Sequence, residues 1–223
     1  MDIYRTEEEQ IAAIKQWWKN NGTAIMLGLA LALAGVFGYQ AWEKSQLQNA
    51  SAASALYQEL AALMVNNPQA LTEQQQSTLS HLVSTLKQEH GGTGYAAMAA
   101  LLQARQHVEQ GDLAAARSEL LWAMEQKLEA NLEAIVRLRL ARVTYEGTQE
   151  SARQALGLID GVDAGSFVSS YEEVKGDLYV ALEQPEAARA AYQKAVDAAR
   201  EHGQSRPLVQ LKLDDLAVAQ DGV

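Results

Sequence analysis

The sequence predicts an all-α protein with a single N-terminal transmembrane helix followed by a solenoid of helical hairpins. Three observations carry this. An uncharged apolar stretch is long enough to cross a bilayer, the remainder is rich in alanine with few β-branched runs, and its second half repeats at a fixed interval.

The apolar stretch is Ala24 to Ala41, AIMLGLALALAGVFGYQA, whose only polar amide is Gln40. With Thr23 and Trp42 included, about twenty residues at about 1.5 Å each reach about 30 Å, the thickness of a bilayer's hydrocarbon core. A buried core helix of this character would need apolar cover on every side, and no other stretch can supply it. A cleaved signal peptide has a shorter apolar core of roughly 7–15 residues behind a basic leader. Here the leader carries Asp2, Glu7, Glu8 and Glu9 beside Arg5, Lys15 and Lys19. Trp17 and Trp18 on one side and Trp42 on the other stand where interfacial aromatics sit, so the segment reads as an uncleaved anchor. Arg5, Lys15 and Lys19 precede the span and only Lys44 closely follows it. The positive-inside rule then places the short N-terminal tail in the cytoplasm and the rest across the membrane.

Composition narrows the function classes. Of 223 residues, about 180 remain beyond the anchor, enough for a domain with its own core. The formal net charge of −10, without a Lys/Arg cluster, argues against nucleic-acid binding, which needs a basic face to replace phosphate counterions. The absence of cysteine excludes disulfides, thiolate metal sites and thiol nucleophiles. His81, His90, His107 and His202 are far apart, with no helical metal-site spacing. His107 falls at an expected core position. Without a nucleophile elbow or serine-triad signature either, the expectation is a protein with no cofactor and no enzymatic activity.

In chain order, the expected parts are a cytoplasmic amphipathic tail over 1–22, the transmembrane helix over 23–42, a helical stalk over 43–66, a helix and linker over 67–94, and repeats with a C-terminal capping helix over 95–223. Thr6 reads as an N-cap with Glu9 completing a capping box. Ile11, Ile14 and Trp18 share one face of the tail helix, which suits either the membrane interface or a cytoplasmic partner. Asn21-Gly22 is expected to break or bend the chain. Within the span, Ala24, Gly28, Ala32, Gly35 and Gly38 fall within an arc of about 120°. Such a stripe lets another membrane helix approach closely, so Gly28, Ala32, Gly35 and Gly38 are candidate packing residues; small residues are also simply common in membrane helices.

Beyond Trp42 no helix breaker occurs before Asn66-Asn67-Pro68, and Leu56, Leu60, Leu63 and Met64 mark an apolar face late in that helix. Thr72 and Gln75 form a second capping box, and Leu79, Leu82, Val83 and Leu86 mark the buried face of a helix ending near Glu89. Gly91-Gly92-Thr93-Gly94 lacks the Gly-Lys-Ser/Thr ending of a phosphate-binding loop and reads as a flexible linker.

From Tyr95 the chain repeats itself. Ala116, Ala152 and Ala188 stand 36 residues apart, each followed by Arg. Four places after each come Leu120, Leu156 and Tyr192; seven places after come Ala123, Ile159 and Ala195. Gly111-Asp112, Gly147-Thr148 and Gln184-Pro185 supply a turn before each set. This resembles the tetratricopeptide repeat, a helix–turn–helix unit of about 34 residues. The third copy matches best, with Gly176 and Tyr179 on its first helix and Ala188, Tyr192 and Ala195 on its second. The first two copies have Ala104 and Leu140 where Gly176 stands, and Arg200 occupies the place of the closing proline. Pro207 opens a final helix whose Val209, Leu213 and Leu216 are suited to cap the stack. The resemblance implies a groove lined by the first helices, with Arg105, Arg137, Tyr145, Glu173 and Asp177 as candidate lining residues. For Arg105 and Arg137 the alternative is an ordinary solvated or salt-bridged arginine.

The whole layout is similar to the YfgM-type ancillary subunit family of the bacterial Sec translocon. MDIYRTEEEQIAAIKQWWKNNG, the single span and LEAIVRLRLARV (132–143) carry the resemblance. It implies an inner-membrane, single-pass protein with a periplasmic domain. The implied partners are Sec translocon subunits, a membrane-anchored periplasmic chaperone of the peptidyl-prolyl isomerase type, and translocating polypeptides passed toward the chaperone network. A cytoplasmic regulatory role for the tail is implied as well. Two other readings stay open: an envelope assembly scaffold unrelated to secretion, and a hydrolase concealed in the helical domain.

Overall fold

The computed structural model describes residues 7–66 and 71–221, and they are all-helical apart from turns and caps. The chain forms two compact units, Met1–Ser51 and Ala52–Val223.

In the first unit, helix α1 (Glu7–Asn66) runs through the apolar stretch without interruption. An 18-residue window there has a mean hydropathy of 1.8, with 6% of it buried. Met26, Leu27, Leu29, Leu31, Val36 and Phe37 are all exposed, which in water leaves their apolar surface unpaid and in lipid costs nothing. Asn21-Gly22 does not break the helix as expected. Asn21 Nδ2 donates to the Trp17 carbonyl at 2.9 Å, inside the helical turn rather than against it. Gly22 is covered by the Trp18 indole, whose nearest atom would lie 3.1 Å from an added Cβ. A single helical glycine costs only about 1 kcal/mol relative to alanine, too little to end a helix that these local contacts support. The Thr6 cap lies outside the described residues, as does Pro68.

The second unit is a stack of hairpins whose cores are shared between neighbours. The C-terminal part of α1 places Ala53 and Leu60 in a core with Leu79, Leu82, Val83 and Leu86 of α2 (Glu73–Glu89). Leu56, Leu63 and Met64 pack against it half-buried. Thr72 and Gln75 close the capping box that starts α2. The Gly91–Gly94 segment is a cap rather than a loose linker. Thr93 accepts from Ala96 N and donates to the His90 carbonyl at 2.7 Å, starting α3 (Gly94–Glu109).

Three hairpins follow: α3 with α4 (Leu113–Met124), α5 (Ala130–Thr144) with α6 (Gln149–Ile159), and α7 (Val168–Ala181) with α8 (Pro185–Glu201). Each first helix is apolar on two faces. On α5, Val136, Leu140 and Val143 join the core of the preceding hairpin, while Ala134, Leu138 and Ala141 join that of its own. On α3, Ala97, Ala100 and Ala104 face α4, while Ala96 and Ala99 face α2. This sharing is how a repeat too thin to bury its own face obtains a continuous core. Alanine dominates both faces of α3 because close helix approach leaves no room for more. His107 departs from its expected core position: it is half-buried beside Gln103, and the buried position goes to Gln106.

Buried hydrogen bonds tie helices together within and between hairpins. Tyr171 Oη donates to the Ala134 carbonyl at 2.9 Å, joining α7 to α5. Ser169 Oγ donates to the Ala195 carbonyl at 2.8 Å, joining α7 to α8. The last helix, α9 (Pro207–Asp221), lays Val209 and Leu213 against Ala188, Tyr192, Ala195 and Val196.

Candidate functional site

The repeat-packing positions lie inside the hairpins. Ala116, Ala152 and Ala188 are each fully buried, Leu120 and Tyr192 nearly so, and Leu156 is half-buried. Gly176 packs against the ring of Tyr192. These residues hold helices together, and Leu120 also lines the cleft between α3 and α5.

What they present outward is the face made by the first helices. Successive first helices leave a cleft between each pair, and Arg142 lines both clefts. The cleft between α3 and α5 holds about 330 Å³, within the range of sites that take a ligand side chain. Its floor is apolar: Leu101 and Ala104 of α3, Leu120 of α4 and Val143 of α5. Around it stand Arg105, Arg139 and Arg142. Arg105 Nε donates to Glu109 at 2.7 Å, one helical turn on, in an exposed pair worth little energetically. Arg139 and Arg142 have no carboxylate partner among the described residues. Burial first, and then the charges of Arg105 and Arg142, hold Arg139 below the ordinary arginine pKa. Arg139 remains charged at any accessible pH; burial is the larger cause of the depression, and the neighbouring guanidinium groups add to it.

The cleft between α5 and α7 holds about 220 Å³ and is lined by Ala141, Arg142, Tyr145, Val174, Asp177 and Leu178. Its acidic side chain is already engaged. Asp177 accepts from Tyr192 Oη at 2.6 Å and from Lys212 Nζ at 2.6 Å. Burial, and then the bond to Asp177, push the Tyr192 phenol far above its usual pKa.

The five candidate groove residues therefore separate. Arg105 lies in the first cleft, and Tyr145 and Asp177 in the second. Arg137 lines neither; its guanidinium donates to Glu133 at 2.6 Å and to the Leu158 carbonyl of α6 at 3.3 Å. Glu173 lines neither as well; it accepts from Arg206 and lies 3.5 Å from Lys212, clamping α9 onto α7. Arg139 and Arg142 were not singled out from sequence. Transfer at a fixed 36-residue offset aligns equivalent positions on successive helices. A cleft between two helices is lined by inequivalent ones, because each helix turns a different face to the shared space. The legible signal was the i, i+3 spacing of Arg139 and Arg142 in LEAIVRLRLARV, which puts both on one face.

In the apolar stretch of α1, Gly28, Gly35 and Gly38 have open space where a Cβ would stand. Ala32 and Gly35 lie in a shallow recess between Leu31, Val36 and Tyr39.

Comparison with known proteins places this architecture. The family model described as a tetratricopeptide repeat-like domain matches residues 15–218. The chain is 30% identical over 210 residues to the ancillary SecYEG translocon subunit of Haemophilus influenzae, covering 94% of this chain and 97% of that protein. It is 27% identical over 218 residues to the ancillary SecYEG translocon subunit of Escherichia coli, covering 98% and 100%. The corresponding protein of Neisseria gonorrhoeae is 27% identical over 217 residues, covering 97% and 100%. No solved structure matches. A likeness that runs through both the apolar helix and the hairpin stack, at this identity and coverage, makes the chain a member of the tetratricopeptide repeat-like family of ancillary SecYEG translocon subunits.

Proposed function

We propose that this protein is an inner-membrane, single-pass ancillary subunit of the Sec translocon, with its N-terminus in the cytoplasm and its repeat domain in the periplasm. The repeat domain binds a membrane-anchored periplasmic chaperone of the peptidyl-prolyl isomerase type, and the pair helps pass translocating polypeptides to periplasmic chaperones. The observation that carries this reading is the extent of the likeness: 94% of the chain aligns with a relative named as a translocon subunit, anchor and repeats together. The physical logic is tethering. A binding face held beside the exit of a channel meets its partners at high effective concentration, so modest affinity per contact suffices.

Division of labour follows from the two units. Gly28, Ala32, Gly35 and Gly38 give a neighbouring membrane helix a close approach, worth having where apolar association has no aqueous drive. The first-helix face, with Arg105, Tyr145 and Asp177 in its clefts, meets the periplasmic partners. The test is crosslinking in the native membrane followed by gentle solubilisation and identification of the adducts. A translocon subunit and a periplasmic isomerase-type chaperone among the main adducts support the reading. Adducts dominated by other envelope proteins would replace it with an assembly scaffold unrelated to secretion.

A further inference from the structure

We propose that the cleft between α3 and α5 is a docking site for an internal segment of a partner protein in which aliphatic side chains are flanked by carboxylates. The inference rests on reading the repeat domain as a protein-binding surface, and it names the chemistry that surface selects.

The first consideration is charge. The chain carries a formal net charge of −10, yet this cleft gathers three guanidinium groups. Glu109 neutralises Arg105 within its own helix, which leaves the charges of Arg139 and Arg142 unanswered. Several other cations of the second unit are paired with carboxylates: Arg137 with Glu133, Lys175 with Glu172, Arg206 with Glu173, Lys212 with Asp177. Two like charges one helical turn apart destabilise the free domain slightly, and an anion placed between them removes that penalty. Arg139, held below its ordinary pKa by burial and by its arginine neighbours, shows the same unfavourable field. Guanidinium forks match carboxylates in two-pronged geometry, which a lysine pair would not do.

The second consideration is the floor. Between the cations lie Leu101, Leu120 and Val143 in a recess of about 330 Å³, with Val108 43% exposed at its edge. A free inorganic anion would leave that apolar surface wet. A nucleic acid needs a longer basic track than three arginines on an acidic chain. An aliphatic side chain between two carboxylates satisfies both halves at once, and a cleft lined mainly by one pair of helices suits an extended segment.

The test uses the full chain in lipid nanodiscs and fluorescence anisotropy. The probe is a short fluorescein-labelled, C-terminally amidated peptide with two leucines flanked by glutamates. Amidation removes the terminal carboxylate, so that only side-chain carboxylates are read. Binding is expected to weaken about tenfold or more when glutamine replaces the glutamates, since each charge-assisted hydrogen bond lost is worth about 1.5–3 kcal/mol, and about 1.4 kcal/mol is a factor of ten. Alanine in place of the leucines is expected to weaken it as well. Arg139→Gln with Arg142→Gln should reproduce the loss. Arg139→Lys with Arg142→Lys should restore part of the binding, and Arg153→Gln, outside the cleft, should leave it unchanged. Equal affinity for the glutamate and glutamine peptides, or an unaltered Kd in the Arg139→Gln/Arg142→Gln protein with an unchanged melting temperature, overturns the proposal. Copurification of the translocon is measured on the same variant. Retained copurification alongside failed peptide discrimination removes the cleft assignment and leaves the proposed function standing; loss of copurification from the parent chain itself removes the latter.

Discussion

Gly176 of α7 lies against the ring of Tyr192 of α8, so closely that a Cβ at Gly176 would fall inside the ring's contact distance. The ring cannot swing aside. Its hydroxyl donates to Asp177, the residue next to Gly176, and Lys212 sits 5.7 Å from its centroid. Gly176→Ala gains about 1 kcal/mol of helix propensity and incurs an overpacking cost of about 1–3 kcal/mol. With the ring held by its hydroxyl and by Lys212 the cost should win, giving a net loss of up to about 2 kcal/mol in urea denaturation. A gain in stability would show that α7 and α8 separate easily. Ala188→Leu, which inserts three carbons where exposure is zero, should cost at least as much.

Glu183 is the one non-glycine residue with positive φ among the described residues, at 57°. It occupies the place that Gly111, at φ 79°, holds 72 residues earlier and Gly147, at φ 82°, holds 36 residues earlier. The motif is the same at α3 and α7: Asp112 N donates to the His107 carbonyl, and Gln184 N to the Tyr179 carbonyl, both at 2.9 Å. Side chains in this left-handed conformation cost about 1–2 kcal/mol. Glu183→Gly removes that cost and returns part of it as unfolded-chain entropy, so a net stabilisation of about 0.5–1 kcal/mol is expected. Gly111→Ala should shift the melting temperature in the opposite direction.

These residues show what was legible in the sequence. The 36-residue spacing of small and large apolar residues exposed the hairpin stack, because close helix packing restricts residue type at a fixed offset. The apolar span was legible from length and charge alone. The turn after α7 was legible from Gln184-Pro185, but not that Glu183 takes the left-handed place held by glycine in the earlier copies, which only backbone geometry reveals. Asn21-Gly22 misled because a turn-forming pair also fits inside a helix when Asn bonds back to Trp17 and a tryptophan covers the glycine. Arg139 and Arg142 escaped because the cleft is a relation between two helices rather than a property of one.

The C-terminal helix is held by charge as well as by Val209 and Leu213. Arg206 donates to Glu173 and, at 2.6 Å, to Ser170 Oγ, while Lys212 bridges Asp177 and Glu173. Glu173 is 17% exposed, and its loss leaves Arg206 without its carboxylate while Lys212 keeps Asp177. Glu173→Gln should cost about 1.5–3 kcal/mol. Hydrogen exchange should quicken in α9 before it does in α5. Uniform acceleration across both would mean the stack unfolds as one unit.

Alkaline pH should weaken the same corner. The Tyr192 phenol is pushed far above its usual pKa by burial and by Asp177, and that of Tyr171 is raised by burial. A folded-state pKa above the unfolded value of about 10 means the stabilisation is complete below about pH 10. Above it the unfolded chain releases protons that the folded chain keeps, and stability falls as pH rises. Tyr192→Phe loses the bond to Asp177 at all pH values but should make the decline above about pH 10 shallower. An unchanged slope would assign the alkaline sensitivity to Tyr171 or to Lys175, whose pKa its carboxylate neighbours raise against the effect of burial.

The apolar stretch of α1 gives the last prediction. Gly28, Gly35 and Gly38 each leave open space where a side chain would begin, and Leu31, Val36 and Tyr39 stand beside the recess at Ala32 and Gly35. In lipid, helices associate through van der Waals contact and close backbone approach rather than by expelling water. Filling the recess should therefore separate partners without impairing insertion. Leucine at Gly28 and Gly35 adds to the hydrophobic sum that favours insertion, by about 0.3–0.6 kcal/mol per leucine, so the doubly substituted protein should reach the membrane fully. Its copurification with translocon subunits after mild solubilisation should fall, while peptide binding by the repeat domain stays at the parent level. Copurification equal to the parent's would assign translocon contact to residues beyond the span. A parallel fall in peptide binding would point to disturbance of the whole chain rather than of one helix face.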